Sequence, residues 1–295
     1  MKKKVRHLQS NGINPKHFSR GQIKFLFYMV PVCLIMALPI LFIFMDAFKP
    51  SDELFAYPPR FFVRHPTMDN FLDLFMLSST TQIPATRYLV NSVVFTLITV
   101  IGTVLISVCA AYVFSKKRFK FTGFLFQMNS LALMFVPVAV AIPRYLVIYY
   151  SGIYNTVFAN ILPLMVIPTA VFLVKQFIDG IPDALIEAAV IDGANDIGIV
   201  SKIIMPLVGP AVSTVAILSF QTSWNSVEAS SNYINNETYK TFAYYVSTLA
   251  NSTGNAVAGK GIAAAATLIM FLPNLILFIV LQSRVMNTMT HSGIK

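Results

Sequence analysis

Six apolar runs set the terms on which this chain can fold. They lie at residues 25–48, 88–114, 122–149, 156–178, 207–224 and 262–282, close to the roughly 20 residues a helix needs to cross a bilayer. The 295 residues are 56% hydrophobic and 12% charged, whereas soluble domains carry about 25% charged residues. The expectation is an all-α, polytopic membrane protein with six transmembrane helices. The first run is too long for a signal-peptide core and is followed by FKPSDELF rather than a small-residue cleavage site, so it reads as a retained helix.

Basic residues give the orientation. Lys2, Lys3, Lys4, Arg6, Lys16, Arg20 and Lys24 precede the first run, and Lys116, Lys117, Arg118 and Lys120 follow the second. Such flanks stay cytoplasmic, which puts both chain ends inside a cell membrane. Segments 49–87 and 225–260 then face outward, where acids such as Asp52, Glu53, Asp69, Asp73, Glu228 and Glu237 accompany the bases. The net charge of +10 is therefore a topology signal and not a nucleic-acid footprint.

Catalytic and metal chemistry find little support. Cys33 and Cys109 lie inside apolar runs with no ligand or redox spacing, and His7, His17, His65 and His291 are scattered. Gly254–Gly261 nearly spells a phosphate loop, but Gly261 replaces the final hydroxyl and no strand precedes it. No metal or catalytic centre is expected, and ATP-driven work has to come from a partner.

One polar insert separates the fourth and fifth runs. Pro182 suits a first helical position and Asp183 the positive end of a helix dipole. DALIEAAVI reads as a helix whose Ala188-Ala189 pair makes a thin face, and Gly193 permits a sharp turn. An amphipathic stretch over 194–204 follows, and Pro206 and Pro210 bracket the entry to the next run. The expected shape is an elbow of two short helices with an exposed tip.

Glu187, Ala188, Ala189, Asp192, Gly193, Ala194, Ile203 and Pro206 resemble the EAA loop of the membrane subunits of binding-protein-dependent ABC importers. Asn91-Ser92, Ala110-Ala111-Tyr112, Arg118-Phe119, Lys175-Gln176-Phe177, Ile181-Pro182 and Ser223-Trp224-Asn225 are similar to carbohydrate-uptake permeases of the maltose-transporter type. Leu133-Met134-Phe135, Ala141-Ile142-Pro143 and Ser292-Gly293-Ile294-Lys295 resemble the subgroup for oligosaccharides of complex plant polysaccharides such as pectin. The chain departs from the family at Val200, where an aromatic is usual, and at Gly198, which loosens the second helix.

The resemblance implies a type I ABC importer permease fold. It divides the chain into a basic tail (1–24), a first helix with its outer loop (25–87), a transmembrane domain (88–282) carrying a coupling loop (182–206), and a C-terminal tail (283–295). It also implies a second permease subunit, two cytoplasmic ATPase subunits that use ATP and magnesium, an extracytoplasmic solute-binding protein, an oligosaccharide and the lipid around them. Glu187 is the expected polar contact to the ATPase, with Asp192 and Gly193 shaping the turn. Outer residues 232–240 are expected to face the binding protein.

Polar groups embedded in apolar runs are costly unless they face a cavity or a neighbour. Asn129, Arg144, Tyr145, Gln221, Trp224 and Asn225 are the candidates for a translocation path. Pro137, Pro143, Pro163, Pro168 and Pro273 invite kinks there. A secondary transporter would also place polar groups in kinked helices, but it has no use for the elbow. An importer of the same build for amino acids, peptides or phosphate is the nearer alternative.

Overall fold

A computed structural model describes residues 20–80, 83–251 and 258–292. Lys2, Lys3, Lys4, Arg6, His7, Lys16 and His17, residues 254–257 of the phosphate-loop lookalike, and the terminal residues 293–295 lie outside that set. All regular structure among the described residues is helical.

The elements run α1 (Arg20–Ala47), α2 (Ser51–Phe55), α3 (Asp69–Thr80) and α4 (Ala85–Lys116), then α5 (Thr122–Ala132), α6 (Ala141–Tyr150), α7 (Phe158–Met165) and α8 (Pro168–Asp179). The insert holds α9 (Asp183–Ile191), α10 (Asp196–Ile199), a π turn (Val200–Ile204) and α11 (Met205–Leu207). Next come α12 (Gly209–Trp224), α13 (Glu228–Asn232), a 3-10 turn (Glu237–Tyr239), α14 (Phe242–Asn251) and α15 (Ala258–Ser292).

Among the described residues, four helical stretches are long and apolar enough to cross a membrane: Phe25–Ala47, Ala85–Lys116, Phe158–Asp179 and Gly259–Val280. A fifth candidate is the pair Asp196–Leu207 and Gly209–Asn232, bent by 88°. The run 122–149, expected as one span, is instead α5 and α6, separated by non-helical residues 133–140 around Pro137. α7 and α8 also part company, at Val166 and Ile167, whose backbones are extended. Pro168 at the start of α8 explains that break, because it has no N–H for a continuous helix and pushes Ile167 out of the helical region.

α4 is the central post, packed by α7, α8, α12 and α14. Its inner face is small and hydroxylated: Ser92, Thr96, Thr99, Gly102, Thr103 and Ser107 are buried. Ser219 donates to Thr103 at 3.0 Å and Ser223 to Thr96 at 3.3 Å, tying α12 to the post. Small residues suit helix pairs in lipid, where backbones approach closely and there is no water to drive association.

Asn91 and Ser92 pin the outer loop to the top of that post. The Asn91 amide donates to the carbonyls of Thr238 and Lys240 at 2.8 and 2.9 Å, and Ser92 accepts from the Phe242 N–H at 2.8 Å. The start of α15 is anchored differently. Asn70 donates to the Ala47 and Lys49 carbonyls at 3.0 and 2.7 Å, and a β-carbon on Gly261 would overlap the Asn70 amide and the Leu54 side chain.

Gly261→Leu is therefore expected to lower stability by about 2–4 kcal/mol, combining overpacking with two weakened hydrogen bonds. Gly102→Leu meets only the flexible end of Met165 and should cost less. Thermal aggregation midpoints of the detergent-solubilised variants check this ranking.

Candidate functional site: a clamped elbow

The insert folds as the elbow its residues imply, and the end of α4 holds both of its arms. Pro182 precedes α9 as its cap residue, one position earlier than its composition suggested, and Asp183 opens the helix. At the far end, Asp192 N–H donates to the Ala188 carbonyl at 3.0 Å and Ala194 N–H to Ala189 at 2.9 Å. Gly193 takes φ +81° between them, the left-handed conformation that glycine alone adopts without strain. Asn195 then caps the second arm by accepting from Gly198 N–H at 2.8 Å.

The second arm is less regular than the expected amphipathic helix over 194–204. α10 lasts four residues before the π turn, consistent with the loosening expected at Gly198. The chain then swings through 88° into α12.

Apolar packing fixes the inner side of the elbow. Ala189, Ile199 and Ile204 are buried in one cluster with Val108, Ala111 and Tyr112 of α4 and with Val174 and Ile178 of α8. Ile203 and Ala194 pack on its edge. Glu187, Ala188, Asp192, Gly193 and Pro206 remain exposed. So do the apolar Leu185, Val190, Ile191 and Ile197, the last two at 84% and 78%.

Polar contacts add the clamp. Lys116 Nζ donates to the Ile181 carbonyl and to Asp183 Oδ1, both at 2.6 Å. Ser115 Oγ donates to Asp179 at 2.6 Å. On the other arm, Lys117 Nζ lies 2.6 Å from Asp196 Oδ1, which also accepts from the Tyr112 hydroxyl at 3.1 Å. Four residues at one helix end, Tyr112, Ser115, Lys116 and Lys117, thus grip the last residue of α8 and the first residue of each arm. The Lys116 ammonium holds the Asp183 carboxyl below the usual carboxylate range. Glu187 borders a basic depression of about 460 Å³ with Lys116, Lys117 and Arg118.

Tyr112, Lys116, Lys117, Asp183 and Asp196 belong to this site, yet sequence reasoning gave the lysines only a topological role. The available signal was their complement: an acid opens each arm of the insert, and a cation pair ends a span nearby.

The path candidates divide into two groups. Arg144 and Tyr145 lie on α6 beside the helix breaks, while Gln221, Trp224 and Asn225 end α12. Arg144 Nη1 meets Glu228 at 3.3 and 3.4 Å. Tyr145 sits in an aromatic group with Tyr149, Tyr154 and Tyr233. Asn129 bridges α5 to α8 by donating to the Pro168 carbonyl at 3.3 Å. Gln221 and Asn225 are exposed, and Asn225 accepts weakly from Asn274 at 3.4 Å. Trp224 differs: it is 3% exposed, stacks on Phe220 and donates its indole N–H to the Met270 carbonyl at 3.0 Å. Its ring has no open face in this conformation, so it is a packing residue here.

The outer loop is built in rather than free. Tyr233, Ile234 and Lys240 are buried, and Asn155 at φ 57° accepts from the N–H groups of Asn235 and Asn236, both at 2.9 Å. Asn232 and the tip at Asn235, Asn236 and Glu237 are exposed. Among the described residues no group of three or more His, Cys, Asp or Glu could hold a metal ion.

Residues 102–283 match the family model described as "Binding-protein-dependent transport system inner membrane component". The chain belongs to this family. The match begins inside α4 and runs through the elbow into α15, so the clamp and both arms fall within it. Among curated relatives, the probable ABC transporter permease protein YurM of Bacillus subtilis (strain 168) is 32% identical over 246 residues, covering 80% of this chain and 78% of that one. The arabinooligosaccharides transport system permease protein AraQ of Halalkalibacterium halodurans is 29% identical over 266 residues, covering 90% and 93%. Among solved structures, a chain of a bacterial ABC transporter involved in the import of the acidic polysaccharide alginate shares the fold, with TM-score 0.75, 19% identity, and coverage of 90% of this chain and 98% of that one. The all-α expectation and the importer permease fold therefore hold, and the chain is a multi-pass membrane protein of this transport-system family.

Proposed function

We propose that this component imports oligosaccharides as one of two permease subunits in an ATP-driven complex. The carrying observation is the elbow, which is fixed to α4 and α8 by a buried cluster and two lysine contacts while an apolar tip stays exposed. Such an arrangement transmits a push as a rigid body.

In this reading the tip, with Glu187, Ala188, Asp192 and Gly193, seats in a cleft of a cytoplasmic ATPase subunit. Ala189, Ala194, Ile203 and Pro206 support it from below. Both chain ends are cytoplasmic, as the basic flanks favour. ATP and magnesium are used by two partner ATPase subunits, whose closure turns the paired permeases outward to receive sugar from an external binding protein.

The exposed tip at Asn235–Glu237 is the contact we assign to that binding protein. Arg144, Tyr145, Gln221 and Asn225 are the assigned path residues, with Asn129 holding the break open from behind. The arabinooligosaccharides for which AraQ is named support the choice of an oligosaccharide.

The test is the ATPase activity of the purified complex in lipid, with its partner subunits and binding protein, across a panel of oligosaccharides, amino acids, peptides and phosphate. Stimulation by one oligosaccharide class is expected. Stimulation confined to the other solutes would keep the elbow mechanism and overturn the sugar.

A further inference from the structure

The two broken helices open on one cavity. It holds about 360 Å³ and is bounded by Pro137 of the 133–140 turn, by Val166 and Ile167 at the α7–α8 break, and by the end of α12. Non-helical backbone at bilayer depth is tolerated only where protein buries it or water lines it. Met134 and Val138 in that turn are 79% and 83% exposed in this subunit, so the turn's non-helical backbone calls for cover by a neighbouring subunit or by water. An ion pair, Arg144–Glu228, faces the same cavity and excludes lipid for the same reason.

The cavity's chemistry is specific. Glu228 accepts from the Tyr233 hydroxyl at 2.8 Å and from Arg144 Nη1 at 3.3 and 3.4 Å. The pair is thus electrically closed but loose. Arg144 reaches Glu228 through Nη1 and also lies against the Tyr233 hydroxyl, and a guanidinium carries five donors. Thr222 spends its proton on the Leu218 carbonyl at 2.8 Å, so its oxygen is left as an acceptor.

We infer that this cavity is a sugar subsite for neutral, polyhydroxylated units, and that Arg144–Glu228 is its specificity element against carboxylated sugars. The inference rests on the oligosaccharide reading above. Hydroxyl groups donate to Glu228 and Thr222 and accept from Arg144 without unpairing either charge. A uronate carboxylate has to share one guanidinium with Glu228 at close range. That like-charge juxtaposition is unfavourable. The volume lies within the range of small-ligand sites, about 300–1,000 Å³.

Saturation-transfer NMR on the complex in nanodiscs, without binding protein, tests it with two probes: a neutral disaccharide and a diuronate of the same length. The wild type is expected to favour the neutral probe by about tenfold. Glu228→Gln should shift that ratio about tenfold toward the diuronate by freeing Arg144 for a bidentate carboxylate. Arg144→Gln should weaken the neutral probe. Equal binding of both probes by wild type, an unchanged ratio in Glu228→Gln, or no signal from either probe would overturn the subsite. If either ion-pair variant fails to assemble, Thr222→Val decides: weaker neutral binding supports the assignment and unchanged binding overturns it. Sugar-stimulated ATPase activity with the binding protein is measured separately, so the subsite can fail while sugar import stands.

Discussion

Lys116→Met is expected to cut coupled sugar uptake by about tenfold, the equivalent of about 1.4 kcal/mol, while the protein still reaches the membrane. The Lys116 side chain is 8% exposed and its ammonium satisfies both the Ile181 carbonyl and Asp183 at 2.6 Å. Removing it orphans a part-buried acceptor, which costs about 1–3 kcal/mol, and frees the first arm from α4. Asp183→Asn should do much less. Its carboxylate is 69% exposed, and solvent screens exposed pairs so that each contributes little.

The pH dependence has a definite sign. The Lys116 ammonium depresses the Asp183 carboxyl, so the carboxylate's share of this contact is present above the ordinary carboxylate range and is lost as pH falls through the depressed value. Proteoliposome uptake beside ATPase activity reads the result: uptake should fall more steeply than ATP hydrolysis in Lys116→Met. If both stay at wild-type levels, the buried cluster around Ile199 and Ile204 holds the elbow alone.

Local chemistry made the elbow legible. Pro182, Asp183, Gly193 and Pro206 each act within a few residues of themselves, through φ preference, helix dipole or a missing N–H, and the structure places each at the end or turn it suggested, Pro182 one position early as the cap. The clamp was not legible, because Lys116 and Asp183 are 67 residues apart and only packing of α9 beside α4 brings them together. The break at residues 133–140 was hidden for a related reason. Hydropathy sums composition over a window, and Leu133, Met134, Phe135, Val136 and Val138 are as apolar in a turn as in a helix; Pro137 was the one local sign. Trp224 shows the same limit from the other side: an aromatic ending a span has interface and sugar-stacking uses, and in this structure Phe220 and the Met270 carbonyl occupy its ring and N–H.

Gly193→Val should disable the coupling elbow through strain and not through collision. No atom lies within 4 Å of where a β-carbon on Gly193 would stand, so the site has room for a side chain. Its φ of +81° is the obstacle, since a non-glycine residue held in the left-handed region costs about 1–3 kcal/mol and a β-branched one is an outlier there. The chain relieves that cost by rotating Gly193, which turns α9 against α10 and moves Ile191 and Ile197 apart. The exposed tip then no longer matches its partner's cleft. Asparagine tolerates the left-handed region far better, so Gly193→Asn should retain most uptake while Gly193→Val loses about tenfold or more. Co-purification of the ATPase subunit and transport rate, measured on the same preparations, separate the possibilities. Parallel losses in the two variants would mean that the docked ATPase touches the bare glycine surface, and that contact rather than backbone conformation requires glycine at this turn.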